Sequence, residues 1–139
     1  MSGHWNWSSQ LRIPSDTSAT SGAIEPLLER LQKEDWNDRD VFGVHLAVEE
    51  ALVNAIKHGN HEDADKVVEI QYRTTPGCVQ IEIADQGPGF DPSIIPDPTT
   101  AEHVDQPNGR GIMLMRSFMS RVEFNSCGNR VLLEKCRSE

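Results

Sequence analysis

Residues 37–59 read NDRDVFGVHLAVEEALVNAIKHG, and the spacing within this stretch decides what the rest of the chain has to build. Asn37 or Asp38 offers a helix N-cap, and Gly59 with Asn60 supplies a stop after about His58. At 100° per residue, Val41, Val44, Val48, Leu52 and Ala55 fall on one stripe, the expected core face. Glu50 and Asn54 are four apart and lie together on the other side, among Gly43, Leu46, Ala47 and Val53. A carboxylate and an amide in a mostly apolar strip ask for a reason, because burying either one unpaired costs free energy. One reason is a helix lining a site, with Glu50 as a general base or water-positioning group and Asn54 as a neutral oxygen ligand for a hard cation such as Mg2+. The other is a surface pair making an ordinary helix-stabilising contact. Glu49 lies nearer the core stripe and takes a structural or edge role.

Before this helix, residues 1–8 form a polar tail holding Trp5 and Trp7, and Gln10 to Pro14 alternate as a short strand. Ser15 to Ser18 offer N-caps for a helix with apolar positions 24, 27, 28 and 31, and Pro26 is expected in its first turn. After the helix, Val67, Val68, Ile70 and Tyr72 mark one strand and Val79, Ile81 and Ile83 the next, joined by Thr75-Pro76-Gly77. Residues 90–108 hold four of the eight prolines (Pro92, Pro96, Pro98, Pro107), a length of irregular chain that is usually functional or mobile. Gly111 to Phe118 reads as a helix, and Arg121–Phe124 and Arg130–Glu134 as two closing strands. This order predicts a single α+β domain over residues 9–139, a hairpin-rich sheet with helices on one face.

The 139 residues carry 13 Lys and Arg against 22 Asp and Glu, a net charge of −9. Such acidity argues against a broad nucleic-acid or anionic-membrane surface, which needs clustered cations. No run of ~20 apolar residues is present to cross a membrane, and the first thirty positions hold no apolar signal core. Cys78, Cys127 and Cys136 are odd in number and scattered, which predicts free thiols in a reducing cytoplasm. His58 and His61, with Glu62 and Asp63 nearby, span the expected helix end, so solvated or capping roles are expected rather than a metal cluster.

Two glycine loops add chemistry. Asp85-Gln86-Gly87-Pro88-Gly89 ends the strand of Val79, Ile81 and Ile83, and Asp85 shares their parity. Its carboxylate therefore points to the face they bury, where it suits a ligand's hydrogen-bond donor, with the glycines letting backbone approach. An Asx-type turn after a strand would use the same residues. Asn108-Gly109-Arg110-Gly111 opens the following helix, a place for phosphate or simply a loop-to-helix junction. Leu114 stands where a dinucleotide fingerprint needs glycine, and no Gly-Lys-Ser/Thr follows, so Rossmann and Walker loops are excluded.

In order, Glu50-x-x-x-Asn54, Asp85-x-Gly87-x-Gly89 and Gly109-x-Gly111 resemble the N, G1 and G2 boxes of the GHKL ATPase superfamily. The stretch Glu49-Glu50-Ala51-Leu52-Val53-Asn54-Ala55-Ile56-Lys57-His58-Gly59 is most similar to its anti-sigma-factor serine/threonine kinases, and the resemblance runs from about Leu11 to Cys136. It implies a Bergerat-type two-layer α/β sandwich, with a mixed, mostly antiparallel sheet, binding ATP with Mg2+ between helices and sheet. By matching positions, Asp85 would bind the adenine amino group, Asn54 would coordinate Mg2+, and Glu50 would orient or deprotonate a partner's serine hydroxyl. Gly87, Gly89, Gly109 and Gly111 would shape the nucleotide pocket, the last two near the phosphates, and residues 90–108 would be the ATP lid. Arg110, inside the G2 box, is placed to touch a phosphate or the protein substrate. Implied partners are an anti-sigma antagonist protein as phosphoacceptor, a sigma factor and a second copy of the chain. Gly128-Asn129-Arg130 stands where members often carry Gly-Thr, which keeps two alternatives open: a non-catalytic ATP-gated binding module and a plain GHKL ATPase.

Overall fold

The computed structural model describes residues 5–88 and 107–138, the first six residues of the second segment by their backbone alone. Gly89 and the expected lid, apart from its last two residues, lie outside the described residues. Strands β1 (Trp7–Pro14), β2 (Val67–Thr74), β3 (Cys78–Ala84), β4 (Arg121–Phe124) and β5 (Arg130–Cys136) form one sheet in the order β1-β2-β3-β5-β4, with every neighbouring pair antiparallel. Helices α1 (Thr20–Lys33), α2 (Asp38–Val53) and α3 (Pro107–Phe118) complete the expected α+β architecture.

The two layers follow from periodicity. In β3, Val79, Ile81 and Ile83 are buried under the helices, while Gln80 and Glu82 turn to the other face. That outer face is polar, carrying pairs such as Arg12 with Glu69 at 2.9 Å and Arg130 with Glu82 at 3.3 Å. Such exposed pairs contribute ~0–1 kcal/mol each. The core is made where Ile24, Leu27 and Leu31 of α1 meet Val44, Val48 and Leu52 of α2 over the sheet. Burying side chains of this size stabilises by about 1.5–3 kcal/mol apiece.

Helix α2 buries a second stripe that its apolar periodicity did not single out. Gly43 and Ala47 are buried as well, because α3 packs there: a Cβ at Gly43 would meet Phe118 at 3.2 Å. The helix begins as expected, with the Asn37 side chain accepting from Asp40 N at 2.7 Å. The Asp40 carboxylate, 2 % exposed, then accepts from Ser138 N at 2.8 Å and from Ser138 Oγ at 2.7 Å, tying residue 138 to α2. Burial pushes this carboxyl up, but the Ser138 bonds, the Lys135 ammonium and Asn37 outweigh it, so it ionises below the ordinary range. The tie therefore contributes stability at neutral pH and loses it as pH falls through that lowered value.

Several boundaries differ from the sequence expectations. Trp7 and Ser8, expected in the polar tail, are the first residues of β1. Trp7 stacks on Tyr72 with ring centroids 6.2 Å apart and lies under the Arg30 guanidinium, so this indole is covered by its own chain. Pro26 sits inside α1 rather than in its first turn, because the helix starts earlier, after a short turn (Thr17–Ala19) capped by Asp16. Its missing N–H leaves the Gly22 carbonyl without a helical donor, and Gly22 is exposed, so water can serve it. Helix α3 starts at Pro107, ahead of the expected Gly111, since proline is favoured in a first turn where its N–H is not needed.

The expectation of three free thiols is overturned. Cys78 and Cys136 face each other across β3 and β5 and are disulfide-bonded, with Cα atoms 4.1 Å apart. Only Cys127 is free among the described residues. The partners are 58 positions apart, so their proximity is a product of strand register, which spacing alone does not show. Among the described residues no helix is long and apolar enough to cross a membrane.

Candidate functional site

Helix α2 does not end at Val53 but widens into a π-helical turn over Asn54–Gly59. Asn60 N donates to Ala55 O at 2.8 Å, the i to i−5 bond of that geometry. Such turns occur often at functional sites, where the extra residue swings side chains out of the α-helical track. Asn54 opens this turn and, with His58 and Gly59, forms one wall of a cleft between the helices and the sheet. Counted out to its open mouth, solvent included, the cleft spans about 580 Å³.

The floor and far wall are apolar, built from Ala55, Ile83, Met115, Phe124 and Val131. Asp85 stands at one end, as its parity with Ile83 predicts. Its N–H donates to Asn129 O at 2.9 Å and its Oδ1 accepts from Gly87 N at 2.8 Å. Oδ2 makes no hydrogen bond among the described residues. The Asx turn, one of the two alternatives from sequence, is therefore formed, and the same residue lines the cleft. Burial raises the Asp85 carboxyl pKa, against the pull of the Gly87 N–H, Lys66 and His61.

Asn54 and Asp85 thus share one cleft. Glu50 lies one α-helical turn before Asn54, half-buried, and is not part of the cleft wall. The side chains of Glu50, Asn54 and His58 make no hydrogen bond or ion pair among the described residues, so the helix-stabilising contact considered for Glu50 and Asn54 is not formed. Gly87 lies behind the wall. Gly109, Arg110 and Gly111 lie in the first turns of α3, so the glycines sit within this helix rather than ahead of it. In a helix that starts at Pro107, the N–H groups of Asn108 and Gly109 are left without internal partners.

Three features escaped the sequence. His58, expected to be solvated or capping, lines the cleft, and burial together with Lys57 and His61 lowers its pKa. Gly128, at φ 76°, and Asn129 lie in the wall, with the Asn129 carbonyl holding Asp85. Gly59 is more than a helix stop: a Cβ there would overlap the Asp85 carboxylate, and one at Gly87 would overlap the Gly59 carbonyl. The two glycines interlock so that Asp85 can settle against the end of the π turn. Gly59→Ala is therefore expected to cost about 1–3 kcal/mol, seen as a lower thermal unfolding midpoint. The control is Gly22→Ala, where nothing lies within 4 Å of the new Cβ and a neutral or stabilising change is expected.

The sequence profile of the histidine kinase-like ATPase domain matches residues 13–135 of this chain. The chain belongs to that family. The matched span includes both walls of the cleft, the end of α2 with its π turn and the Asp85 loop. Among curated relatives, the serine/threonine-protein kinase BtrW of Bordetella bronchiseptica is 33 % identical over 113 residues, covering 79 % of this chain and 80 % of that protein. An anti-sigma F factor of Clostridium botulinum is 32 % identical over 101 residues, 69 % of this chain and 71 % of its own. The serine-protein kinase RsbW of Oceanobacillus iheyensis is 28 % identical over 123 residues, covering 84 % and 78 %. These bacterial relatives are the anti-sigma-factor kinase branch to which the motifs pointed. The expected serine/threonine kinase class agrees with them, since two of the three are named for that activity.

Proposed function

We propose that this chain is an anti-sigma factor with serine/threonine protein kinase activity, which binds ATP with Mg2+ in the cleft and phosphorylates an anti-sigma antagonist protein. What carries the reading is the meeting of Asp85 and Asn54 in one apolar-floored cleft, with Glu50, unpaired among the described residues, one helical turn before Asn54. The donor set suits the ligand. The free Oδ2 of Asp85 is an acceptor for an exocyclic amino group, and the apolar floor suits the faces of a purine. Asn54 offers a single neutral oxygen, and Mg2+ is ordinarily held by one or two protein oxygens together with phosphates and water. When bound, Mg2+ neutralises charge on the transferring phosphates.

The chain's own groups then have defined tasks. Asp85 accepts the adenine amino hydrogen and fixes the base. Asn54 orients the metal-bound phosphates. Glu50 takes the proton of the incoming serine or threonine hydroxyl as its oxygen bonds to the γ-phosphorus, and ADP leaves with the electrons of the broken P–O bond. The start of α3, with Gly109, Arg110 and Gly111, would offer the unbonded N–H groups of Asn108 and Gly109 to anionic oxygens. Sequestration of a sigma factor and assembly as a homodimer belong to the same proposal, supported by the names of the relatives in the first case and by the family resemblance in the second.

Incubation with γ-labelled ATP and the cognate antagonist is expected to mark the antagonist on Ser or Thr. Absence of label with Asn54 and Asp85 intact would rule out the kinase. A non-catalytic ATP-gated module is the second reading, favoured by Asn129 and Arg130 lining the cleft where members often have Gly-Thr. A plain ATPase would release phosphate at the same rate with or without a partner.

A further inference from the structure

Behind Asp85, Asn60, Val67 and Gln86 close a hydrogen-bonded ring. Asn60 is 0 % exposed. Its Oδ1 accepts from Gln86 N at 2.7 Å, Gln86 Oε1 accepts from Val67 N at 2.7 Å, and Val67 O accepts from Asn60 Nδ2 at 3.1 Å. Asn60 Nδ2 also donates to Ser15 Oγ at 2.9 Å, and the Ser15 hydroxyl in turn donates to Lys66 O at 2.7 Å. Both donors and the acceptor of this buried amide are used, and among side chains of this length only asparagine supplies that set.

The ring governs the segment that aims Asp85. Three consecutive N–H groups are held there: Asp85 to Asn129 O, Gln86 to Asn60 Oδ1, and Gly87 back to Asp85 Oδ1. One side of the loop is therefore fixed by the β4–β5 turn and the other by Asn60. Asn60 is not itself part of the cleft wall. Its backbone N–H, bonded to Ala55 O, also closes the π turn that begins at Asn54. One residue thus joins the metal-side wall to the base-side wall.

We propose that Asn60 is a positioning residue of the nucleotide site, whose amide fixes the Gln86 backbone and so sets the direction in which Asp85 presents its free oxygen. The proposal rests on the assignment of the adenine amino group to Asp85. A merely structural Asn60 would lower stability without touching base recognition, whereas a positioning Asn60 controls how well the site tells a 6-amino purine from a 6-unsubstituted one.

The test titrates the wild type, Asn60→Ala, Asn60→Ser and Ser15→Ala with ATP and with purine riboside triphosphate, which lacks the 6-amino group. Loss of a buried hydrogen-bond partner costs on the scale that changes affinity about tenfold. The Asn60 variants are expected to lose roughly that in ATP affinity and most of the preference for ATP, with turnover at saturating ATP within about twofold of wild type. Ser15→Ala, which leaves the Asn60–Gln86 bond in place, is expected to melt earlier yet keep both affinity and preference. Folded Asn60 variants that retain the wild-type preference overturn the proposal. If neither Asn60 variant folds, the Gln86 amide of the wild type decides. Slow hydrogen exchange, with a larger resonance shift for ATP than for the 6-unsubstituted analogue, supports the proposal; a freely exchanging Gln86 amide overturns it. A wild-type chain that binds ATP but shows no preference removes the Asp85 assignment, and one that binds no ATP removes the nucleotide reading itself.

Discussion

Glu50→Gln is expected to cut phosphoryl transfer to the antagonist by about 10²–10⁴-fold, the usual contribution of a positioned base. ATP affinity should change by less than about threefold. The split follows from where Glu50 stands. It is half-buried and outside the cleft wall, so it contributes little to nucleotide affinity, and it has no hydrogen bond or ion pair among the described residues to hold it in a structural role. Glutamine keeps the shape and the polarity but cannot accept the hydroxyl proton. Single-turnover transfer measured beside an ATP titration checks both halves. Transfer at the wild-type rate would remove Glu50 as the base. Unchanged control of the partner proteins in a transfer-dead Glu50→Gln chain would instead favour the ATP-gated module.

Asp85→Ala is expected to weaken ATP binding by roughly 10²-fold, because a hydrogen bond to a charged group is lost and the adenine amino group is left facing apolar walls. A pH signature accompanies it. With Oδ1 held by the Gly87 N–H, Oδ2 is a full-strength acceptor for the amino group only while the carboxyl is ionised, and burial raises the Asp85 pKa in the free protein. Wild-type affinity should therefore fall on acidification, beginning above the pH at which an exposed aspartate of pKa about 3.9 would protonate. The alanine variant should lose that limb. Calorimetric titration across the acidic range reads both effects, and undiminished affinity in Asp85→Ala would contradict the assignment.

What the sequence made legible was whatever repeats locally. The stripe of Val44, Val48 and Leu52, the alternation of Val79, Ile81 and Ile83, and the parity that brings Asp85 to the cleft all depend on one element's own period. What it hid depends on distant neighbours. Trp7 reads as part of a polar tail until Tyr72, 65 positions on, covers it. Gly43 reads as a neighbour of Glu50 and Asn54 on a face apart from the core until Phe118 packs beside it. Gly59 and Asn60 read as a helix stop, which they are, but their second tasks appear only when the Asp85 loop folds against them. The π turn is invisible for a different reason: widening a helix by one residue per turn needs no special residue type.

The Cys78–Cys136 bond has a topological consequence. It makes a covalent ring of everything between β3 and the end of β5, including the Asp85 loop, α3 and the Asn129 turn, while Glu50 and Asn54 stay outside that ring. A backbone cut anywhere within it would leave both pieces attached, still travelling as a single species until a dithiol separated them.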